Sequence, residues 1–292
     1  MTSFTALLSS SVGTPLTTVG IIVAAMALVA AIEAVVPLYA RGRWHRAHRG
    51  PNLALTLITF ATNALFNTAL VLLLTRLEAV GFGILPRLAA PPLLAAALAV
   101  VALDFSFYVA HVAMHHIEAF WRFHQVHHSD PAVDVTTTIR QHPGEGVIRY
   151  AFMAVCAIGV GATPAAFAVY RLASALAGLL EHANVRVPAW LDRALALVTS
   201  FPNLHKVHHS RDARETDTNY GNLFSLFDRL FGTFTPSARG AHIVFGLAGF
   251  DDAETQTTAG LLALPFRGAP NAAAAGTAEF HAGATPGSLP AK

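Results

Sequence analysis

The sequence is poor in cysteine and in charge, and both shortages exclude classes of function. Cys156 is the only cysteine in 292 residues, so an intrachain disulfide framework, a Cys-rich zinc module and an all-cysteine iron–sulfur cluster are excluded. Only 12% of the residues are charged and the formal net charge is +2, which does not indicate a nucleic-acid partner. The sequence also lacks the motifs of flavin, nicotinamide and haem binding, so redox chemistry would need external electrons.

Apolar residues dominate the chain instead. They make up 54% of the sequence, and the mean hydropathy of +0.50 indicates a membrane protein. The runs 16–38, 53–74 and 92–111 are each long enough to cross a hydrocarbon core of about 30 Å. The first run lacks a basic start and is expected to stay as an anchor. Two further runs, 147–163 and 164–182, meet at Pro164 and predict a hairpin. We predict an all-α, multi-pass membrane helical bundle of about three spans plus a hairpin.

The charge of the loop 41–49 predicts how this bundle is oriented in the membrane. It carries four arginines in nine residues, which predicts a cytoplasmic location. The third run then returns to the cytoplasm, and both ends of the hairpin lie on that side. Residues 115–146 and the chain after 182 are therefore expected to form a cytoplasmic helical cap. His45 and His48, within the arginine loop, are expected to be solvated.

Histidines are abundant, 15 in all, and most of them are clustered. The clusters are H-x-x-x-H at 111–115 and two copies of H-x-x-H-H, at 124–128 and 205–209. These spacings place imidazoles on one face of a helix, and neutral imidazole is a ligand of iron, zinc and copper. A single catalytic zinc needs three protein ligands, so eight clustered imidazoles predict a di-metal site held by His111, His115, His124, His127, His128, His205, His208 and His209.

Other polar residues lie close to these clusters in the sequence. His182 and His142 are the next candidate ligands. Asp104 and Tyr108 share a helix stripe with His111 and His115, at spacings of four, three and four. Asp104 either accepts a hydrogen bond from a ligand imidazole and fixes its tautomer or forms a hydrogen bond between helices. Glu145 is a further carboxylate near the clusters.

The order of motifs resembles the fatty acid hydroxylase/sterol desaturase superfamily over roughly residues 95–235. After the H-x-x-x-H pair come W-R-F-H-Q-V-H-H-S at 121–129 and R-Q-H-P-G-E at 140–145. They are followed by E-H-A-N at 181–184, H-K-V-H-H-S at 205–210, T-N-Y-G at 218–221 and F-D-R-L-F-G-T at 227–233. The resemblance divides the chain into anchor helices (1–94), a catalytic domain (95–235) and a C-terminal segment (236–292). Composition predicts disorder in that segment from about residue 268.

The resemblance also carries expectations about function. It implies a membrane oxygenase with two iron ions that uses O2 to hydroxylate or desaturate a fatty acyl, sterol-like or ether lipid. The clustered histidines, His182 and His142 are then expected metal ligands, and Asp104, Tyr108 and Glu145 are the candidate catalytic residues. Electrons would come from a ferredoxin or a cytochrome with its reductase.

Two other classes of function are compatible with a histidine-rich membrane protein. A metal transporter would place ligands along a path near the bilayer midplane, whereas most clustered histidines here lie outside the predicted spans. A zinc-dependent membrane hydrolase would need a glutamate beside the metal as general base, and the sequence has no H-E-x-x-H motif. A lipid oxygenase is therefore favoured.

Overall fold

The computed structural model describes residues 15–40, 42 and 44–267, and within these ranges the chain is helical and has no strand. Five helices are long: α1 (Pro15–Val35), α3 (Arg49–Ala79), α5 (Pro92–His116), α7 (Pro143–Val160) and α8 (Pro164–His182). The short ones are α2 (Trp44–Ala47), α4 (Ile84–Arg87), α6 (Glu118–His128), α9 (Ala189–Leu195), α10 (Asn203–His208), α11 (Ala213–Thr216), α12 (Leu226–Phe231) and α13 (Thr258–Ala263). Three 3-10 helices span Val135–Ile139, Ser237–Ala241 and Leu264–Phe266. The predicted disordered tail lies outside the described residues.

In the part of the chain that the structure describes, four segments are long and apolar enough to cross a membrane: Leu16–Val35, Trp44–Arg87, Pro92–His116 and Pro143–Val160. Their outward faces carry large apolar side chains, with Leu57, Leu65 and Val155 exposed by 71%, 69% and 75%. So extensive an apolar exterior fits a bilayer rather than water. The chain is an integral membrane protein, and the prediction of an all-α membrane bundle is confirmed. The predicted hairpin is formed by α7 and α8.

Proline and glycine set the ends of the hairpin helices. Pro164 opens α8, and the hydroxyl of Thr163 accepts a hydrogen bond from the Ala166 N–H at 3.1 Å. α7 ends at Gly161, whose φ of +74° favours glycine. A Cβ placed on Gly83 would lie 2.3 Å from the Gly161 Cα, so the missing side chains let the hairpin tip contact the connection after α3.

Helix α5 is central to the bundle, because it packs against α6, α7 and α8. An apolar core joins it to its neighbours through Leu74 of α3, Leu103 of α5, Met153 of α7 and Phe167 of α8. The three central helices α5, α7 and α8 have one end in common, where α5 and α8 finish and α7 starts. Every histidine cluster is at that end of the bundle.

Candidate metal centre

Nine buried or partly buried histidines form two groups at this end of the bundle. In each group, the ligand atoms lie within 4.8 Å of one another. The first group is His111, His115, His124, His128 and His208, and the second is His127, His182, His205 and His209. All eight clustered histidines are brought together, and His182 joins them.

Helix periodicity explains how each H-x-x-H-H cluster serves both groups. On α6, residues 124 and 128 are one turn apart and face the first group, whereas His127 faces the second. On the segment from α10, residues 205 and 209 face the second group and His208 faces the first. The two groups are in direct contact, since the rings of His128 and His209 stack with centroids 4.6 Å apart. Two ions bound here would therefore be neighbours.

Short distances between ε nitrogens indicate that the groups suit metal ions. The His124 Nε2 lies 3.1 Å from that of His111 and 3.2 Å from that of His128. In the second group, the His182 Nε2 lies 3.1 Å from those of His127 and His209. Nitrogens bound to one ion at about 2.0–2.1 Å are separated by about 2.9–3.4 Å for bond angles of about 90° to 109°. The spacing thus fits shared coordination.

The δ nitrogens show which tautomer several of these rings adopt. The Nδ1–H of His111 donates to the Tyr220 carbonyl at 2.9 Å, and that of His208 donates to the Thr218 carbonyl at 2.8 Å. The Nδ1–H of His182 donates to the Gly178 carbonyl at 2.8 Å. Because a carbonyl only accepts, Nδ1 carries the proton and the Nε2 lone pair faces the group. Unprotonated nitrogens this close repel one another unless a cation lies between them.

The loop 218–221 supplies two of these carbonyls and is itself firmly held. Asn219 adopts a φ of +55°, and its amide group donates to the carbonyls of Leu204 and Thr235 at 3.1 and 2.9 Å. Asp228 accepts the N–H groups of Tyr220 and Gly221 at 2.8 and 2.9 Å. The loop therefore fixes the orientation of imidazoles without contributing a ligand.

Burial keeps the imidazoles neutral. Desolvation, followed by the neighbouring histidines, lowers the pKa well below its usual value in His124, His127, His128, His205 and His209. Burial also lowers the pKa of His208 to about 3. Near pH 7 these rings carry lone pairs, so a metal ion can bind without first displacing protons.

Residues 96–233, which contain all nine histidines, match the family model described as fatty acid hydroxylase. This part of the chain is similar to the fatty acid hydroxylase family. The resemblance inferred from the motif order is confirmed.

The curated relatives of this region include proteins named as a lipid hydroxylase, an alkylglycerol monooxygenase and an aldehyde decarbonylase. The chain is 34% identical to ornithine lipid hydroxylase OlsE of Rhizobium tropici over 152 residues, 52% of this chain and 45% of the relative. It is 31% identical to alkylglycerol monooxygenase of Caenorhabditis elegans over 148 residues, 49% and 28% of the two chains. A very-long-chain aldehyde decarbonylase of rice is 34% identical over 148 residues, which are 48% of this chain and 23% of the relative. The chain thus spans less than half the length of these relatives. No solved structure matches it.

Glu145 lies at the edge of the first histidine group. Its Oε1 lies 3.3 Å from the His124 Nδ1 and 3.4 Å from a guanidinium nitrogen of Arg149. The carboxylate is buried, so its contact with the imidazole is shielded from water. Glu145 therefore contacts the His124 ring, although the geometry of the contact is not that of a hydrogen bond.

Asp104 and Tyr108 reach the histidines only through the neighbouring loop. Asp104 accepts the N–H groups of Leu223 and Phe224 at 3.0 and 3.2 Å. The Tyr108 hydroxyl is 3.0 Å from the Thr233 hydroxyl, and its ring packs on Tyr220. The hydrogen bonds of Asp104 therefore join α5 to the loop 222–224, which is neither a contact with an imidazole nor a bond between helices.

The structure does not bring His142 into either group. Its Nδ1 accepts the Gly144 N–H at 2.9 Å, and its Nε2 lies 3.2 Å from the Leu262 carbonyl. Both ring nitrogens are therefore used, one to cap α7 and one to hold the C-terminal segment. The expectation of a metal ligand at this position is corrected to a capping role.

The prediction that His45 and His48 are solvated is wrong. Both are buried, with exposures of 4% and 1%. The His48 Nδ1 lies 2.9 Å from Asp130 Oδ1, and its Nε2 lies 3.3 Å from Asp134 Oδ2. Both acids follow the second cluster in the sequence, and tertiary packing brings them to the arginine loop. The contact fixes α3 against the end of α6.

Proposed function

We propose that this chain is a membrane oxygenase that uses O2 and external electrons to hydroxylate or desaturate a lipid. The observation that carries the proposal is the division of nine imidazoles into two touching groups of five and four. Such a ligand set suits two iron ions, which when bound would supply the activation of O2 needed to oxidise an unactivated C–H bond. In a hydroxylation, O2, two electrons and two protons convert the lipid C–H to C–OH and release water.

The protein's own residues hold and shield the site. Backbone carbonyls orient the rings, and the burial of both histidine groups excludes bulk water from the reaction. The neutral nitrogen ligands leave positive charge on the ions, which favours oxidising chemistry. Asp104 and Tyr108 support the loop that fixes His111 and His208, so they act as positioning residues.

The alternative functions fit the geometry less well. A transporter needs ligands that follow a path across the membrane, whereas these nine converge at one end of the bundle. A zinc hydrolase needs a carboxylate free to act as general base, but the carboxylates beside the first group are in contact with its rings: Asp217 with His115 at 3.1 Å and Glu145 with His124 at 3.3 Å. These observations favour the oxygenase.

Partners and orientation follow from the same proposal. The relatives' names indicate a lipid substrate, which would enter from the bilayer. The arginines of the loop 41–49 favour the cytoplasmic face for the metal centre. A ferredoxin or a cytochrome with its reductase would then deliver electrons from that side.

The test is a joint measurement of metal and activity in the purified chain. We expect two iron ions per chain after iron loading, and iron-dependent O2 consumption with a lipid extract and a reducing system. H127A and H208A each remove a ligand from a different group and should abolish oxidation, whereas H242A alters an exposed histidine and should not. Because zinc displaces Fe(II) readily, zinc content is measured as well. One zinc per chain with no iron-dependent O2 consumption would overturn the proposal.

A further inference from the structure

Two short segments outside the candidate spans carry large, exposed apolar side chains. The segments are residues 189–198, which contain α9, and α12. Six of their apolar side chains are exposed by between 48% and 67%: Trp190, Leu197, Val198, Leu226, Leu230 and Phe231. We call these six side chains the outer apolar patch. A contiguous apolar surface outside the spans marks a contact with a membrane or with another protein.

Hydrogen bonds hold the two segments side by side. The Ser225 hydroxyl donates to the Ala196 carbonyl at 2.9 Å, and the Ser225 N–H donates to the Val198 carbonyl at 3.1 Å. The Arg229 guanidinium also donates to the Ala196 carbonyl, at 2.8 Å. The end of α9 and the start of α12 are therefore neighbours, and the outer apolar patch is one surface.

The two ionisable side chains of α12 are bonded within the protein. The buried carboxylate of Asp228 accepts the N–H groups of Tyr220 and Gly221. Besides its bond to the chain after α9, the Arg229 guanidinium lies 3.8 Å from the ring centroid of Phe234. The exposed side of α12 is thus formed by apolar side chains, with its charged groups engaged in contacts with the fold.

Helix α9 has the composition of a helix at a membrane surface. Its carboxylate, Asp192, is buried, whereas Trp190 and Arg193 are exposed. Tryptophan is enriched at the boundary between hydrocarbon and water, and arginine extends its charged end from that boundary toward the head groups. Exposed apolar side chains beside such residues are typical of helices that lie in the plane of the bilayer surface.

The outer apolar patch continues the lipid-facing side of α5, which is a candidate span. The exposed apolar residues of α5 are spaced by four, three and four positions and form one stripe, Leu94, Leu98, Val101 and Phe105. At the end of this stripe, the ring of Phe105 stacks on that of Phe231 with centroids 5.8 Å apart. The surface that α5 turns to the lipid therefore passes directly onto α12.

The contact with Phe105 also indicates the depth of α12. As a helix, residues 92–111 extend over about 30 Å, the thickness of a hydrocarbon core. Phe105 precedes His111 by six positions, so it lies about 9 Å inside that layer. An in-plane helix inserts its apolar face by about 5–10 Å. The depth of Phe105 thus agrees with α12 in this position.

We propose that α9 and α12 lie in the bilayer surface, with the outer apolar patch inserted among lipid acyl chains. The partner of this surface is the lipid bilayer, which already surrounds α5. Asp228 of α12 holds the loop 218–221, and that loop orients His111 and His208. The bilayer therefore contacts the element that supports the metal centre.

The test measures how deeply Trp190 lies in lipid. The chain has three tryptophans, so W44F/W121F retains Trp190 alone. The full-length variant is reconstituted into phosphatidylcholine vesicles whose acyl chains carry bromine either near the head groups or near the bilayer centre. We expect bromine near the head groups to quench the fluorescence at least about twofold and bromine near the centre to quench it less, as for a helix at the boundary of the acyl chains.

The matched control is W44F/W190F, which retains Trp121. Its ring lies 5.1 Å from that of His115, at the end of α5 and beyond the apolar run, so neither bromine position should quench it. F231W, made in a chain without the three native tryptophans, reports on α12 and should be quenched by brominated lipid. Circular dichroism shows that each variant is folded, and the probes at positions 190 and 231 each test the proposal independently.

Two outcomes would overturn the proposal. If iodide in the water quenches Trp190 and neither brominated lipid does, the outer apolar patch faces water and is open to a soluble protein. If both kinds of quencher fail, protein covers the patch, as in a dimer of this chain. The measurement needs no turnover, so its result is independent of the proposed oxygenase activity.

Discussion

The Nε2 of His182 lies 3.1 Å from the Nε2 of His127, although 55 positions separate the two residues. His127 belongs to a cluster with a clear spacing, whereas His182 stands alone at the end of α8. The contact makes a lone histidine the partner of a clustered one. It also completes the second group, which otherwise contains three imidazoles.

Replacing His182 should therefore lower the number of metal ions bound per chain, whereas replacing His142 should leave it unchanged. H182A leaves three imidazoles in the second group, and we expect metal content to fall from two ions per chain toward one. H142A removes a helix cap and should lower stability by about 1 kcal/mol while both ions are retained. Elemental analysis together with thermal unfolding separates the two effects. Equal metal loss in both variants would place His142 among the ligands after all.

The contact of Glu145 with His124 predicts that metal binding or activity falls further in E145L than in E145Q. E145L removes the acceptor beside Nδ1 and should weaken metal binding or activity by about 10- to 100-fold, the usual cost of losing a partner of a metal-bound imidazole. E145Q keeps an oxygen that can accept the imidazole N–H and should lose less. E118Q is the matched control, since the Glu118 side chain is 80% exposed and pairs with Arg122. Competition with a chelator measures the affinity. An E145L variant as tight as E118Q would show that the contact does not matter.

Local spacing explains why much of this site was predictable. The intervals in H-x-x-H-H fix which imidazoles share a helix face, and the proline and charge pattern locates the helices. Spacing does not show that His127 and His128 belong to different groups, because that depends on how α6 meets α10. Nor does it show that His182 reaches them across the bundle.

The sequence around His142 carries a local signal for a helix cap. It precedes Pro143, and a residue before a proline at the start of a helix is a candidate cap. The capping role of His142 could therefore be predicted from the sequence alone. The burial of His48 could not be predicted in this way, because its partners Asp130 and Asp134 lie more than 80 residues away and meet it only through tertiary packing.

Arg140 should be one of the most sensitive positions for stability. Its fully buried guanidinium donates to the Val126 carbonyl at 2.9 Å, Asn52 at 2.9 Å, and Ser129 and Gln256 at 2.8 Å. R140M would leave these four buried acceptors without their charged donor, so we expect a loss of about 3–5 kcal/mol in the free energy of unfolding.

The control for Arg140 is R214M, at a side chain that is 90% exposed, and this substitution should leave the free energy of unfolding almost unchanged. Denaturant unfolding in detergent micelles gives both values. A loss below about 1 kcal/mol in R140M would mean that the segments it joins are held by other contacts.

The neutral histidines predict a particular pH dependence for the metal-free protein. In the unfolded chain a histidine binds a proton below a pKa of about 6.5. In the folded chain burial lowers that pKa, to about 3 for His208, so the ring stays neutral. The unfolded state then binds more protons, and stability, fully present above pH 6.5, falls as the pH is lowered from 6.5 toward 3. Each such histidine contributes at most about 1.4 kcal/mol per pH unit.

Several buried histidines should act together in this way, so the apo-protein should lose stability steeply between pH 6.5 and 5. H208Q removes one of them and should make the slope shallower. Metal-loaded protein should resist acid further, because protons must then compete with the ions for the same nitrogens. Unfolding midpoints measured at half-unit pH intervals test all three statements. A flat profile for the apo-protein from pH 6.5 to 5 would mean that these imidazoles are accessible to protons, and hence to water, in the folded state.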